Sequence, residues 1–437
     1  MIVATRRAVL TGTGSAFAAM LASGCMVRHG SYEEETAASP YGPLKPDPAG
    51  LLDLPEGFAY RVLSRLGDAM DDGGRVPDKA DGMGCFALPS GRIALVRNHE
   101  LKARDDAGGA LASGFDRKAD GSVLPGGTTT LVLDPGTLAV EQQYRSLAGT
   151  IRNCAGGVTP WGSWLTCEED VTRKGEGVGR DHGWVFEVPA SARGLVAPHP
   201  ITAMGRFNHE AAAVDPASGI VYLTEDRDDS LLYRFVPSTP GQLAKGGRLQ
   251  ALAVKGLKDS RNWSGEGLDP GTWFTVHWVD IDDVHSPNDD LRWRGAEKGG
   301  LVFARGEGIH MGEGELYFCC TSGGADRIGQ VFRLQPQTTG ADRLQLFFES
   351  TSARQFNYGD NLTVAPNGHL IVCEDQYTYI VDNHLRGITP DGKAYALARL
   401  RSQAELAGAC FSPDGHTFFV NVYSPTATLA ISGPWTE

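Results

Sequence analysis

The chain has 437 residues, an ordinary hydrophobic fraction of 41% and a formal net charge of −13. That length allows one large domain or several ordinary ones. The surplus negative charge argues against nucleic acid or an anionic membrane surface as partner, but not against an anionic substrate held through bound cations.

From the N-terminus, Thr5-Arg6-Arg7-Ala8-Val9-Leu10 holds a twin-arginine pair, and the weakly apolar run to Leu21 is too short to span a bilayer. Residues 1–25 read as a twin-arginine signal peptide, with the translocase as partner during export and the periplasm or cell exterior as destination. Leu21-Ala22-Ser23-Gly24-Cys25 places a cysteine after small residues, so Cys25 is a candidate lipid-anchor site, beside simple cleavage nearby. Residues 26–50 read as a flexible tether. Leu54 to Leu63 reads as one strand, expected to pair with the last repeat and close the fold.

Six stretches then superpose, starting at Gly82, Cys154, Glu210, Glu307, Asp360 and Ala407. Each continues through a turn near Pro89, Pro160, Pro216, Gly312, Pro366 or Pro413 into an apolar strand. Those strands end at Glu100, Glu168, Glu225, Cys320, Glu374 and Asn421. The expected fold is all-β, a six-bladed β-propeller over residues 51–437, because no stretch after the leader sustains a helical period and Gly and Pro punctuate nearly every run. Residues 101–127 and 237–300 are expected rim insertions, the longer a candidate lid. In a propeller, a repeated column becomes a ring of side chains, so the acidic columns predict a central metal-binding channel. Most cysteines fall in repeat strands and read as small core residues. Cys154 differs by standing where other copies place Glu or Asp.

The block Asn153-Cys154-Ala155-Gly156-Gly157 to Cys167-Glu168-Glu169, with Asn98-His99-Glu100, Phe207-Asn208-His209-Glu210, Thr224-Glu225-Asp226, Arg305-Gly306-Glu307-Gly308 and Asp360-Asn361-Leu362, resembles the PhoX-type alkaline phosphatases. The resemblance implies twin-arginine export and an axial cluster of Fe(3+) and Ca(2+) that hydrolyses small phosphorylated substrates. It further implies Cys154 as iron thiolate ligand and Glu210, Glu307, Glu168, Glu225 and Glu374 as carboxylate ligands, with Glu100 and Asp360 beside them. Carboxylates suit calcium, and one thiolate among them suits a redox-capable metal. Arg305, two residues before Glu307, is the expected phosphate clamp, with Asn98 a second polar contact. Two alternatives stay open: a calcium-dependent lactonase-like propeller hydrolase, and a non-catalytic propeller pinned by metals.

Overall fold

The computed structural model describes residues 37–436 except 266, 377 and 380. Over these residues the fold is all-β and propeller-like. Among them the one α-helix is Leu291–Glu297, and no helix is long and apolar enough to cross a membrane. The expected signal peptide, and Cys25 with it, lies outside the described residues.

Chain-ordered antiparallel meanders make up the fold. Ala80–Ala87, Ile93–His99, Gly126–Leu133 and Val140–Thr150 form the first sheet, and Asn153–Val158, Ser163–Glu168 and Val185–Pro189 the second. Two further meanders, starting at His209–Val214 and Gly306–Met311, share one nine-stranded sheet because Trp273–Asp280 bridges their outermost strands. Gly359–Val364 and Leu406–Phe411 begin the remaining two. Ile93–His99 and Leu316–Cys320 are buried along their whole length, as strands covered on both faces by neighbouring sheets must be.

The first strands of the meanders stand side by side around an axis, and glycines set how closely they approach. A Cβ on Gly82 would lie 2.5 Å from the Cα of Ala155, and one on Gly157 would lie 2.0 Å from the carbonyl oxygen of Ala212. Thr224 donates to the Glu307 carbonyl at 2.6 Å, Ala409 N–H to Asn361 Oδ1 at 2.9 Å, and Asn421 Nδ2 to the Asp81 carbonyl at 2.6 Å, which joins the last meander to the first.

Three expectations change. The single closing strand at 54–63 is two strands: Leu52–Pro55 pairs with Ala394–Leu400, while Ala59–Arg65 pairs with Ala427–Ser432. The turn between them uses Gly57 at φ +84°, a conformation that favours glycine. The described part of the expected tether is fixed to the sheet. Leu44–Lys45 pairs with Leu54 and Pro55, and Tyr41 packs edge-on against Phe58, Tyr395 and Trp435. Asp47 accepts the N–H groups of Ala49, Leu51 and Leu52, so a polar, Pro-rich stretch is held by satisfied hydrogen bonds. The expected lid at 237–300 instead supplies two sheet strands, Gly247–Val254 and the bridging Trp273–Asp280, with Leu291–Glu297 packed behind them.

Candidate metal centre

Each meander repeats one local device. Its first two strands pair at Ala80 with His99, Asn153 with Glu168, His209 with Glu225, Gly306 with Cys320, Gly359 with Glu374 and Leu406 with Val422, and a bulge follows each time. The residue after the second strand then donates its N–H to the carbonyl of the residue before the first. These bonds run Glu100 to Lys79, Glu169 to Arg152, Asp226 to Asn208, Thr321 to Arg305, Asp375 to Tyr358 and Tyr423 to Glu405, at 2.9–3.4 Å. A bulge re-aims side chains at the end of a strand. It turns Asp81, Cys154, Glu210, Glu307, Asp360 and Ala407 into one inner ring. Glu100, Glu169, Asp226, Thr321, Asp375 and Tyr423 form an outer ring at the mouth.

The inner ring is a dense acidic cluster. Cys154 Sγ lies 3.2 Å from Glu210 Oε1 and 3.6 Å from Asp81 Oδ2. Ligand atoms of Cys154, Glu169 and Glu210 fall within 4.8 Å of one another, as do those of Glu210, Glu307 and Asp360, so Glu210 belongs to both groups. Among the described residues, Glu210 Oε2 is buried without a hydrogen-bond partner. Burial pushes the carboxyl groups of Asp81, Glu210 and Glu307 well above the usual range, and neighbouring acids add to it. Asp360 and Glu169 rise to about 8, the latter although Arg152 opposes the shift, and burial with Asp81 and Glu210 raises the Cys154 thiol. Cations among these groups reverse that balance, because a bound ion is the largest local charge and favours every anionic form. The donor set, several carboxylates with one thiol and an orphaned buried oxygen, fits metal ions.

Two arginines brace the rings, Arg152 within the outer ring and Arg305 between outer and inner. Arg152 contacts Glu100 at 2.6 Å and Glu169 at 2.5 Å. Arg305 contacts Asp226 at 2.8 Å and Glu307 at 2.8 Å. Both adopt left-handed φ, 46° and 51°, as do Lys79 at 56° and Tyr358 at 55° at the same repeat position. Such backbone costs about 1 kcal/mol or more in a non-glycine residue, and strain of this kind gathers at functional sites.

Cys154, Glu210, Glu307, Asp360 and Arg305 are thus brought together as expected, and Glu100 sits in the outer ring, held by Arg152 and Tyr423. Four other expected residues lie elsewhere. Glu168 accepts Ile151 N–H, Gly183 N–H and Trp184 N–H and meets His182 Nδ1 at 2.7 Å, so its oxygens serve its own sheet. Glu374 is held likewise by Asn357 N–H, His384 N–H and Arg386 Nε. Glu225 accepts from Tyr233 at 2.9 Å and faces Arg292 at 3.5 Å. Asn98 uses its amide on the Cys154 and Ala155 carbonyls and its oxygen on Trp164 and Thr166, which makes it a tie between two sheets. The acids that face the channel in place of the three glutamates are their chain successors Glu169, Asp226 and Asp375. Asp81, placed in the ring where Gly82 was expected, and Glu405, whose carboxyl is raised by burial and then by Asp375, complete the set that the sequence reading missed.

Fold and cluster together define the class: an all-β, propeller-like scaffold around a candidate polyacidic metal centre. The family follows from the sequence as a whole. The model of the alkaline phosphatase PhoX family matches residues 39–137 and 136–426, and the chain belongs to that family of phosphoric ester hydrolases. Among solved structures, Pseudomonas fluorescens PhoX in complex with vanadate, a transition state analogue, is similar with a TM-score of 0.69 and 18% identity, over 88% of this chain and 96% of that one. This likeness concerns the fold. A gluconolactonase from Xanthomonas campestris is similar at TM-score 0.40 and 14% identity, over 91% and 99% of the two chains. A luciferin-regenerating enzyme is similar at TM-score 0.43 and 9% identity, over 86% and 96%. No curated protein matches in sequence.

Proposed function

We propose that the chain is an exported phosphatase that hydrolyses phosphate esters at an axial iron and calcium cluster on a six-bladed propeller. The observation that carries the reading is the sharing of Glu210 between a thiol-containing group and an all-carboxylate group. Two neighbouring cation sites would suit phosphoryl transfer, in which paired metal ions stabilise the attacking and leaving oxygens. Six blades are supported by six copies of the bulged strand pair, with the nine-stranded sheet dividing where Trp273–Asp280 bridges two outer strands. The twin-arginine pair Arg6-Arg7 supports export to the periplasm or beyond, and Cys25 is the residue a lipid anchor would use.

Cys154, Glu169 and Glu210, with Asp81 3.6 Å from the Cys154 sulfur, would hold iron, the softer ligand set, while Glu210, Glu307 and Asp360 would hold calcium. When bound, the cations supply Lewis-acid stabilisation of charge on the phosphoryl oxygens. The chain's own part is to position. Arg305, held through Nε and Nη2 by Asp226 and through Nη2 by Glu307, brings its guanidinium charge to the inner ring, where it would attract a phosphate oxygen. Arg152 ion-pairs with both Glu100 and Glu169 and so holds the two side chains in place. The two hydroxyls of the outer ring are both engaged, Thr321 with the Gly359 carbonyl and Tyr423 with Glu100, so water is the attacking group in this reading. Hydrolysis of 4-nitrophenyl phosphate tests it. Glu210→Gln, and chelation of the wild type, should each lower kcat/KM by about a hundredfold or more; full activity after both would refute the proposal.

A further inference from the structure

The fourth mouth loop carries a feature that the hydrolytic reading does not use. It runs from Thr321, whose N–H bonds the Arg305 carbonyl at 3.0 Å, to Ile328, whose carbonyl accepts Tyr358 N–H at 2.8 Å. Both of its ends are therefore tied to mouth residues. Across it lies Trp263, with its indole N–H fixed on the Ser322 carbonyl at 2.7 Å. The loop of Trp263 is held in turn by Gly324 N–H on the Arg261 carbonyl at 2.9 Å. Two guanidinium groups lie over this indole, Arg261 at 4.1 Å and Arg327 at 4.3 Å from the ring centroid.

The two arginines differ in what else they hold. Arg261 is committed to Asp259, with contacts of 2.9, 3.1 and 2.6 Å. The exposed Arg327 side chain makes no ion pair among the described residues. Stacking fixes a guanidinium plane and leaves its edge donors directed outward, a geometry suited to a carboxylate or phosphate. Backbone strain supports a built site: Asn262 and Arg327 both adopt left-handed φ, 57° and 56°.

Resting on the phosphatase reading, we propose that Arg327, laid on Trp263, is a rim subsite for a second anionic group on the leaving portion of the phosphate ester. A scissile phosphate at the inner ring lies beside the mouth acids Glu169 and Asp226, so a leaving group directed outward passes the outer ring. The Arg327 loop borders that exit between Arg305 and Tyr358. Esters carrying a second phosphate or a carboxylate are then preferred over singly anionic ones.

Fructose 1,6-bisphosphate and fructose 6-phosphate make a suitable pair, since they differ by one phosphate. Wild type should show the higher kcat/KM with the bisphosphate, through KM, and the advantage should shrink as salt rises. Arg327→Ala should lower the bisphosphate-to-monophosphate ratio by about tenfold, the effect of losing one strong charged contact, and Arg327→Lys should recover part of it. An equal fall with both substrates, or no preference in the wild type, overturns the subsite. Hydrolysis of 4-nitrophenyl phosphate but of neither fructose ester would overturn the subsite alone, whereas hydrolysis of none of the three would overturn the phosphatase reading and the subsite with it.

Discussion

At the scale of single residues, the decisive contrast is between neighbours. Glu168 and Glu169 are adjacent, yet one fastens a sheet and the other faces the channel, because successive side chains at a strand end point opposite ways. Glu168→Gln should lower stability by about 2–4 kcal/mol, since an amide cannot accept all the N–H groups that the carboxylate holds, and should leave the metal content of the folded protein intact. Glu169→Gln should do the reverse, losing metal and activity while the metal-free melting temperature stays near that of metal-free wild type. Metal analysis and thermal melts on both variants check the pair. The acidic pairs Glu168-Glu169, Glu225-Asp226 and Glu374-Asp375 are visible in the sequence, but which member faces the axis depends on strand register, which a sequence does not display. Asp81 was hidden by the same one-residue ambiguity. Its signal was available: Asp81-Gly82, Glu210-Ala211, Glu307-Gly308 and Asp360-Asn361 each put an acid before a small or short residue.

At the scale of elements, the repeats were legible because every copy must meet the same packing demand, whereas the connections between copies obey no period. Residues 237–300 looked like an insertion since their Trp- and Asp-rich composition conceals two sheet strands. Closure was legible in direction but not in detail. The N-terminal segment serves two sheets, and Trp435 locks it in place among Tyr41, Phe58, Phe411 and Phe418. Trp435→Ala should cost about 3–5 kcal/mol in denaturant unfolding by leaving a cavity under that closure. The ring itself depends on close strand contact. Gly157→Ala should be strongly destabilising, because its Cβ would meet the Ala212 carbonyl oxygen at 2.0 Å.

For the whole molecule, the site is a property of closure: among the described residues no single meander holds a candidate metal group, and both candidate groups draw on more than one. The insertion at 101–127 joins this assembly through charge. His182 sits between Glu168 at 2.7 Å and Asp116 at 3.2 Å. Burial opposes its imidazolium, but the two carboxylates outweigh burial and raise it to about 9. A raised pKa means that the charged form stabilises the fold, fully below the ordinary value of 6.5 and less as pH climbs through about 9. The stability difference between wild type and His182→Gln should therefore narrow over that interval in urea unfolding; a constant difference would contradict the charged bridge.

The proposed chemistry requires Cys154 and the carboxylate ring to hold iron together with calcium. Its most direct test is the metal content and visible absorption of protein purified without chelators, beside Cys154→Ser. Iron and calcium are expected, with a visible thiolate-to-iron band that the variant lacks. Colourless wild-type protein holding calcium alone, or a band unchanged in Cys154→Ser, would contradict it.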